Sequence, residues 1–188
     1  PRELQINFVE VREVDPPLGQ EPVLWRLVTT EPIETADDVG AIVDIYRRRW
    51  TIEELFKALK TGCHFEKLQL ESGAALMRAL AIYASVAWRL LVIRWMDRSL
   101  PNAPATAVLS ATQLAVLCAV MWQRKRPLPA EPRAHDVLLA IAALGGHLKR
   151  NGPPGWHLLG RGFDTLLVLE QGWLAADPGG TRSGWDPS

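Results

Sequence analysis

The sequence predicts an α+β fold in which helices predominate: a short antiparallel β element followed by a run of helices. Three observations predict it. Apolar and polar residues alternate over two early stretches separated by Asp15-Pro16-Pro17-Leu18-Gly19, which is the period-two pattern of a half-buried hairpin. From Thr35 onward apolar residues recur at helical spacing, and Ser, Thr, Gly and Pro stand where helices begin and end. The chain has 188 residues, 48% of them hydrophobic and 22% charged, an ordinary globular composition with room for one domain or two small ones.

The elements follow in order. Leu4-Gln5-Ile6-Asn7-Phe8 alternates, and Val9 to Val14 continues with its apolar phase shifted, which predicts a strand carrying a bulge. Val23 to Thr30, rich in β-branched and aromatic residues, supplies its antiparallel partner, and Glu31-Pro32 ends the hairpin. Thr35 with Asp38 forms an approximate capping box, predicting one helix from Ala36 to Lys60 that Gly62 stops. Ser72 to Arg98 reads as a second long helix ended by Pro101, with Met77, Leu80, Ile82, Tyr83, Val86, Leu90, Leu91 and Ile93 directed inward. Ser110 caps a third helix reaching about Gln123. The basic, proline-rich loop Arg124 to Pro129 leads to a helix over His135 to Leu144, closed by Gly145-Gly146, and a last helix spans Trp156 to Ala176. The Gly/Pro/Ser-rich tail, residues 177–188, has the composition of a disordered segment. The expected division is 1–70, 71–176 and the tail.

Composition excludes little else. Lys+Arg and Asp+Glu both total 21, so any basic site has to be local. Cys63 and Cys118 stand far apart without metal-ligand spacing, as expected in a reducing, cytoplasmic setting. The stretch Ala74 to Ile93 is interrupted by Arg78, Ser85 and Arg89, so it reads as a buried amphipathic helix, and no membrane partner is expected. Residue 1 is Pro and the alternation starts at once, from which the chain is expected to begin inside a longer one.

The helix over Ala36 to Lys60 carries the chemistry. On a wheel of ~100° per residue, Arg49, Glu53, Lys57 and Lys60 fall within roughly 60° of Tyr46. Ile45, Ile52, Leu55, Phe56 and Leu59 fall on the opposite side, as the face expected to pack. A solvated face with Glu53 paired to Lys57 and Lys60 is the plain alternative. Against it stand Arg47-Arg48-Arg49 and the adjoining Trp50; cations, a large aromatic and one carboxylate on one face suit phosphate, base and metal.

Tyr46-x2-Arg49-x3-Glu53-x6-Lys60 resembles the Tyr-Arg-Glu-Lys signature of bacterial insertion-sequence transposases of the DDE class. LWRLVTTEPIET, RRRWTIEELFKALKTG and LGGHLKRNGPPGW resemble the branch of that family with a helical dimerisation region. The resemblance implies that residues 1–70 are the C-terminal part of a ribonuclease H-like catalytic domain and 71–176 the dimerisation region. It implies that the chain is the C-terminal portion of a bacterial cut-and-paste transposase, acting on double-stranded DNA transposon ends. Glu53 is similar to the third carboxylate of the family's Asp-Asp-Glu triad and so to a catalytic ligand of Mg²⁺. The two aspartates would lie upstream, so the chain alone is expected to be inactive; Asp37, Asp38 and Asp44 have the context of helix-start and surface acids.

Tyr46, Arg49 and Lys60 resemble the family residues that hold the phosphates of the transposon end, with Lys57, Arg47 and Arg48 as auxiliaries. Trp25 resembles the platform for an extruded base, and Trp50 is a second stacking candidate; a core role is the alternative for both. The resemblance also implies a homodimer through the last helix, by way of Leu159, Phe163, Leu166, Leu167 and Trp173, with an intrachain core helix as the competing reading. A non-catalytic dimerisation partner that inhibits an intact transposase is the alternative function.

Overall fold

The structure, a computed structural model, describes residues 4–148 and 152–176; the tail expectation, 177–188, lies outside them. It divides into two compact units, Pro1–Glu53 and Glu54–Ser188. The expected boundary near residue 70 is thus displaced into the Glu-bearing helix, because the turn after that helix packs with the helical elements.

In the first unit, β1 (Asn7–Arg12) pairs antiparallel with β2 (Leu24–Thr29). The register runs without interruption from Asn7↔Thr29 to Arg12↔Leu24, so the expected bulge is absent. The phase shift has another cause: Leu4 and Ile6 precede the strand, and Phe8 points away from the core, leaving Val9 and Leu27 as the buried pair. Phe8 and its cross-strand partner Val28 face outward, both exposed. Helix α1 (Ala36–Arg48) starts with the capping box drawn from the sequence: Thr35 Oγ1 accepts from the Asp38 N–H at 3.3 Å and Asp38 Oδ2 accepts from the Thr35 N–H at 2.8 Å. Ile42 packs with Val9 and Leu27, and Val11, Trp25, Ile33, Val39 and Tyr46 surround them.

The single helix expected to Lys60 is three pieces: α1, α2 (Trp50–Lys57) and a π-helical turn, Ala58–Gly62. At Arg49 the chain tightens, its N–H donating to Tyr46 O at 3.0 Å in the i→i−3 pattern. The packed stripe of α1 is Val39, Ile42 and Tyr46, so the apolar positions depart from the expected face already in α1. Leu59 is buried and Leu55 packs on the core, but Ile45, Ile52 and Phe56 are exposed.

In the second unit, α3 (Gly73–Ser99), α4 (Ala111–Gln123), α5 (Ala134–Leu144) and α6 (Trp156–Ala176) surround one core. Ser72 and Ser110 cap α3 and α4 through the N–H groups of Ala75 and Gln113. Helix α3 is less buried than the sequence suggests: Ala87, Leu90, Leu91 and Ile93 are inside, whereas Met77 and Ile82 are exposed, as are Trp88 and Trp95. Among the described residues it is the one helix long and apolar enough to cross a membrane, by length and composition alone.

Glycines let α6 close on its neighbours. A Cβ at Gly160 would lie 2.0 Å from Gly62 O, and one at Gly162 would lie 1.8 Å from Ile141 O. Only glycine allows backbones so near, and Gly62 belongs to the π turn that carries Lys60.

Candidate functional site

Four of the predicted site residues form one row of contacts in the first unit. β2 presents Trp25 on the same side as buried Leu27, where its ring meets Tyr46 of α1 edge-to-face, centroids 5.1 Å apart. The Arg49 guanidinium lies 5.7 Å from the Tyr46 ring centroid. Its Nη2 sits 2.9 Å from Glu53 Oε1, a pair one helical turn apart. Glu53, by hydrogen bond and charge, and then Tyr46 hold the Arg49 guanidinium above its ordinary pKa.

The row runs from half-buried to solvent. Trp25 and Tyr46 are wedged against the hairpin core, which fixes the stem of the site. The side chains of Arg49 and Glu53 are 53% and 36% exposed, so both remain within reach of a partner. Trp50 is exposed too, at 53%. Arg48 adds an exposed cation beside Arg49, while Arg47 is 3.3 Å from Asp44.

The other two cations lie in the second unit. Lys57 ends α2 on an exposed position. Lys60 sits on the π turn and pairs with Glu66 at 2.8 Å, not with Glu53. The plain alternative had Glu53 paired with Lys57 and Lys60; the change of helical period after Lys57 alters the phase on which the Lys60 pairing rested.

Glu53 alone does not make a Mg²⁺ site. One of its oxygens is taken by Arg49, Asp38 is taken up by the helix cap, and Asp44 by Arg47. Among the described residues no group of three or more His, Cys, Asp or Glu side chains is placed to hold a metal ion, whereas Mg²⁺ demands an octahedral oxygen shell.

Of the five residues assigned to a dimer contact, Leu159, Phe163 and Leu166 are buried in the core of their own unit, and Leu167 and Trp173 pack against that core. The buried three therefore pack within their own unit, where the glycine contacts draw α6 inward. Sequence reasoning passed over His147, which is buried in the second unit, its Nδ1 without a hydrogen-bond partner among the described residues; its place after Gly145-Gly146, where an apolar residue is usual, was the available signal.

Residues 3–88 match the family model described as the transposase DDE domain. The matched span contains both strands, α1, α2 and the π turn, and with them all four residues of the Tyr46-Arg49-Glu53-Lys60 spacing. It is a DDE transposase family that the match supports, and residues 3–88 are the part of this chain similar to it.

Proposed function

We propose that this chain carries a DNA-end-binding face and one metal-binding carboxylate of a DDE-type cut-and-paste transposase. The observation that carries the reading is the contact row Trp25–Tyr46–Arg49–Glu53, which sets an aromatic, a phenol, a guanidinium and a carboxylate in sequence from core to solvent. Arg49 and Lys60 are phosphate contacts, with Lys57, Arg47 and Arg48 as auxiliary contacts; Trp25 and Trp50 stack on bases at the DNA end. Glu53 is a Mg²⁺ ligand in a site that needs further carboxylates, which in the family are aspartates of a ribonuclease H-like sheet. The outward apolar pair Phe8 and Val28 suits a hairpin that is part of such a larger sheet, because two strands by themselves are marginal in water. The helical region, residues 71–176, serves homodimerisation in a bacterial cytoplasm.

The test is fluorescence anisotropy of a labelled duplex over a range of salt concentrations. Arg49→Ala and Lys60→Ala should each reduce the slope of log K against log salt by about one phosphate contact, with helix content unchanged by circular dichroism. Equal slopes for wild type and both variants would overturn the reading. Mg²⁺-dependent nicking by the purified chain would contradict the assignment of an incomplete metal site.

A second reading, a non-catalytic partner that dimerises with an intact transposase and inhibits it, is favoured by Glu53 being paired with Arg49 and, among the described residues, belonging to no group of three metal-ligating side chains. Mixed dimers that bind DNA ends without cleaving them would select it.

A further inference from the structure

Where α6 closes on the π turn, two imidazoles meet. The touching backbones of Gly160 and Gly62 set the distance between the two elements. His157 stands just before Gly160 on α6, and His64 just after Gly62. His157 Nδ1 lies 2.9 Å from His64 Nε2, with the two rings inclined at 74°. His64 is held in the left-handed conformation at φ 53°, which is costly for any residue with a Cβ, and its carbonyl oxygen accepts from the Lys67 N–H at 2.9 Å. His157 belongs to the first turn of a 21-residue helix. Both rings therefore rise from backbones that their neighbours fix. Both are also open to solvent, His157 exposed and His64 half-buried.

Two imidazole nitrogens that face each other can share one proton or one metal ion: a hydrogen bond uses one of the two lone pairs, a metal uses both. Their separation discriminates among ions. With metal–nitrogen bonds of about 2.0–2.1 Å, ligands at a right angle stand about 2.8–3.0 Å apart and ligands at the tetrahedral angle about 3.3–3.4 Å. The observed 2.9 Å is the right-angle separation, which suits Cu²⁺ and Ni²⁺ better than tetrahedral Zn²⁺. Turning the exposed His157 ring aims both lone pairs at one ion. Asp164 follows His157 on the same face of α6 and is within electrostatic reach of His64; burial raises its carboxyl and the charge of His64 lowers it. Cys63 is turned elsewhere, its thiol donating to Tyr83 O at 3.9 Å.

We propose that His64 and His157 chelate a divalent ion of right-angle coordination, Ni²⁺ or Cu²⁺, through Nε2 and Nδ1 respectively. Each ring then carries its proton on its other nitrogen, so the ring that donates in the metal-free pair changes tautomer and no proton is released. Two protein donors leave the ion's other positions to water, and the Asp164 carboxylate offsets its charge. The ion ties the π turn to α6. The site uses none of the residues assigned to DNA or Mg²⁺ and stands whether or not the transposase reading does.

The probe is Ni²⁺, titrated calorimetrically into the full, untagged chain, with Zn²⁺ as the tetrahedral counterpart; electron paramagnetic resonance of added Cu²⁺ counts the bound nitrogens. Ni²⁺ is expected to bind at a single site and more tightly than Zn²⁺, and the Cu²⁺ spectrum to show two equivalent-strength nitrogen couplings. His157→Gln and His64→Asn should each weaken Ni²⁺ roughly ten-fold or more, asparagine being chosen because it tolerates the left-handed backbone. His135→Gln removes an imidazole that is paired with Asp97 instead and should leave the affinity unchanged. Absence of Ni²⁺ binding, Zn²⁺ binding at least as tight, a Cu²⁺ spectrum with one nitrogen, or undiminished affinity in His157→Gln would each overturn the assignment. Should His64→Asn not fold, His157→Gln and the Cu²⁺ spectrum decide between the same outcomes.

Discussion

Replacing Gly160 by alanine adds one methyl group where the structure has no room for it. The new Cβ would stand 2.0 Å from Gly62 O, 2.5 Å from its carbonyl carbon and 2.8 Å from its Cα. All three are backbone atoms, so no side chain can swing aside. Reaching ordinary contact requires α6 and the π turn to separate by roughly 1–1.5 Å, opening the interface on which Leu159 and Phe163 are buried. Overpacking of this kind costs about 1–3 kcal/mol, and the rigid neighbours place Gly160→Ala toward the upper end. With a urea slope of about 1–3 kcal/mol per molar, the midpoint should fall by about 1 M. Gly172 on the same helix is the internal control: a Cβ there meets nothing within 4 Å, so Gly172→Ala should stabilise by about 0.5–1 kcal/mol. Urea unfolding followed by tryptophan fluorescence measures both. If the two variants shift the midpoint alike, glycine-mediated closure of α6 on the π turn is wrong.

Three further outcomes follow from the structure. Burial, and secondarily the charge of Asp164, push the Cys63 thiol up to about 11, whereas an unfolded thiol ionises near ~8.5. The folded state therefore holds the proton more tightly, and the thiol's contribution to stability is full below that lower value and is lost as pH rises toward 11; Cys63 should stay unreactive to iodoacetamide at pH 8 until the chain is unfolded. Leu166 is fully buried, so Leu166→Ala should cost about 2–5 kcal/mol of stability in urea unfolding, whereas a residue used only between subunits would change the mass seen by light scattering and leave the unfolding midpoint of the dissociated chain unmoved. Trp25→Leu should weaken binding to DNA with an unpaired terminal base by about 1–3 kcal/mol while leaving blunt duplex unaffected, as read by anisotropy; equal loss on both DNAs would make Trp25 a packing residue alone.

Much of the fold was legible because its punctuation is local. Ser110 and Gln123 bound α4 and Trp156 and Ala176 bound α6, as the spacing predicts, and the capping box at Thr35 forms as drawn. The hairpin was legible from alternation; its phase was not, since Leu4, Ile6 and Phe8 alternate just as a strand would yet leave the buried positions to Val9 and Leu27. The helical wheel assumes one constant period. The tight step at Arg49 and the π turn over Ala58–Gly62 change that period, and Lys60 finds Glu66; within α1 the inward stripe is Val39, Ile42 and Tyr46, which leaves Ile45 outside. Within the candidate site, Arg49 and Glu53 share one face and meet, because a four-residue spacing survives small changes of pitch. Trp25 meeting Tyr46 depends on tertiary packing that no local pattern in the sequence announces.

In the proposed function the exposed side of α1 and α2 at Arg49 and Trp50 lies against DNA. The direct measurement is photocrosslinking with p-benzoylphenylalanine in place of Trp50, using labelled duplex. A covalent adduct with duplex DNA that disappears as salt rises is the expected result. No adduct from position 50, alongside an adduct from the same probe at Trp122 in the helical unit, would contradict it and move the DNA contact away from the Glu53 helix.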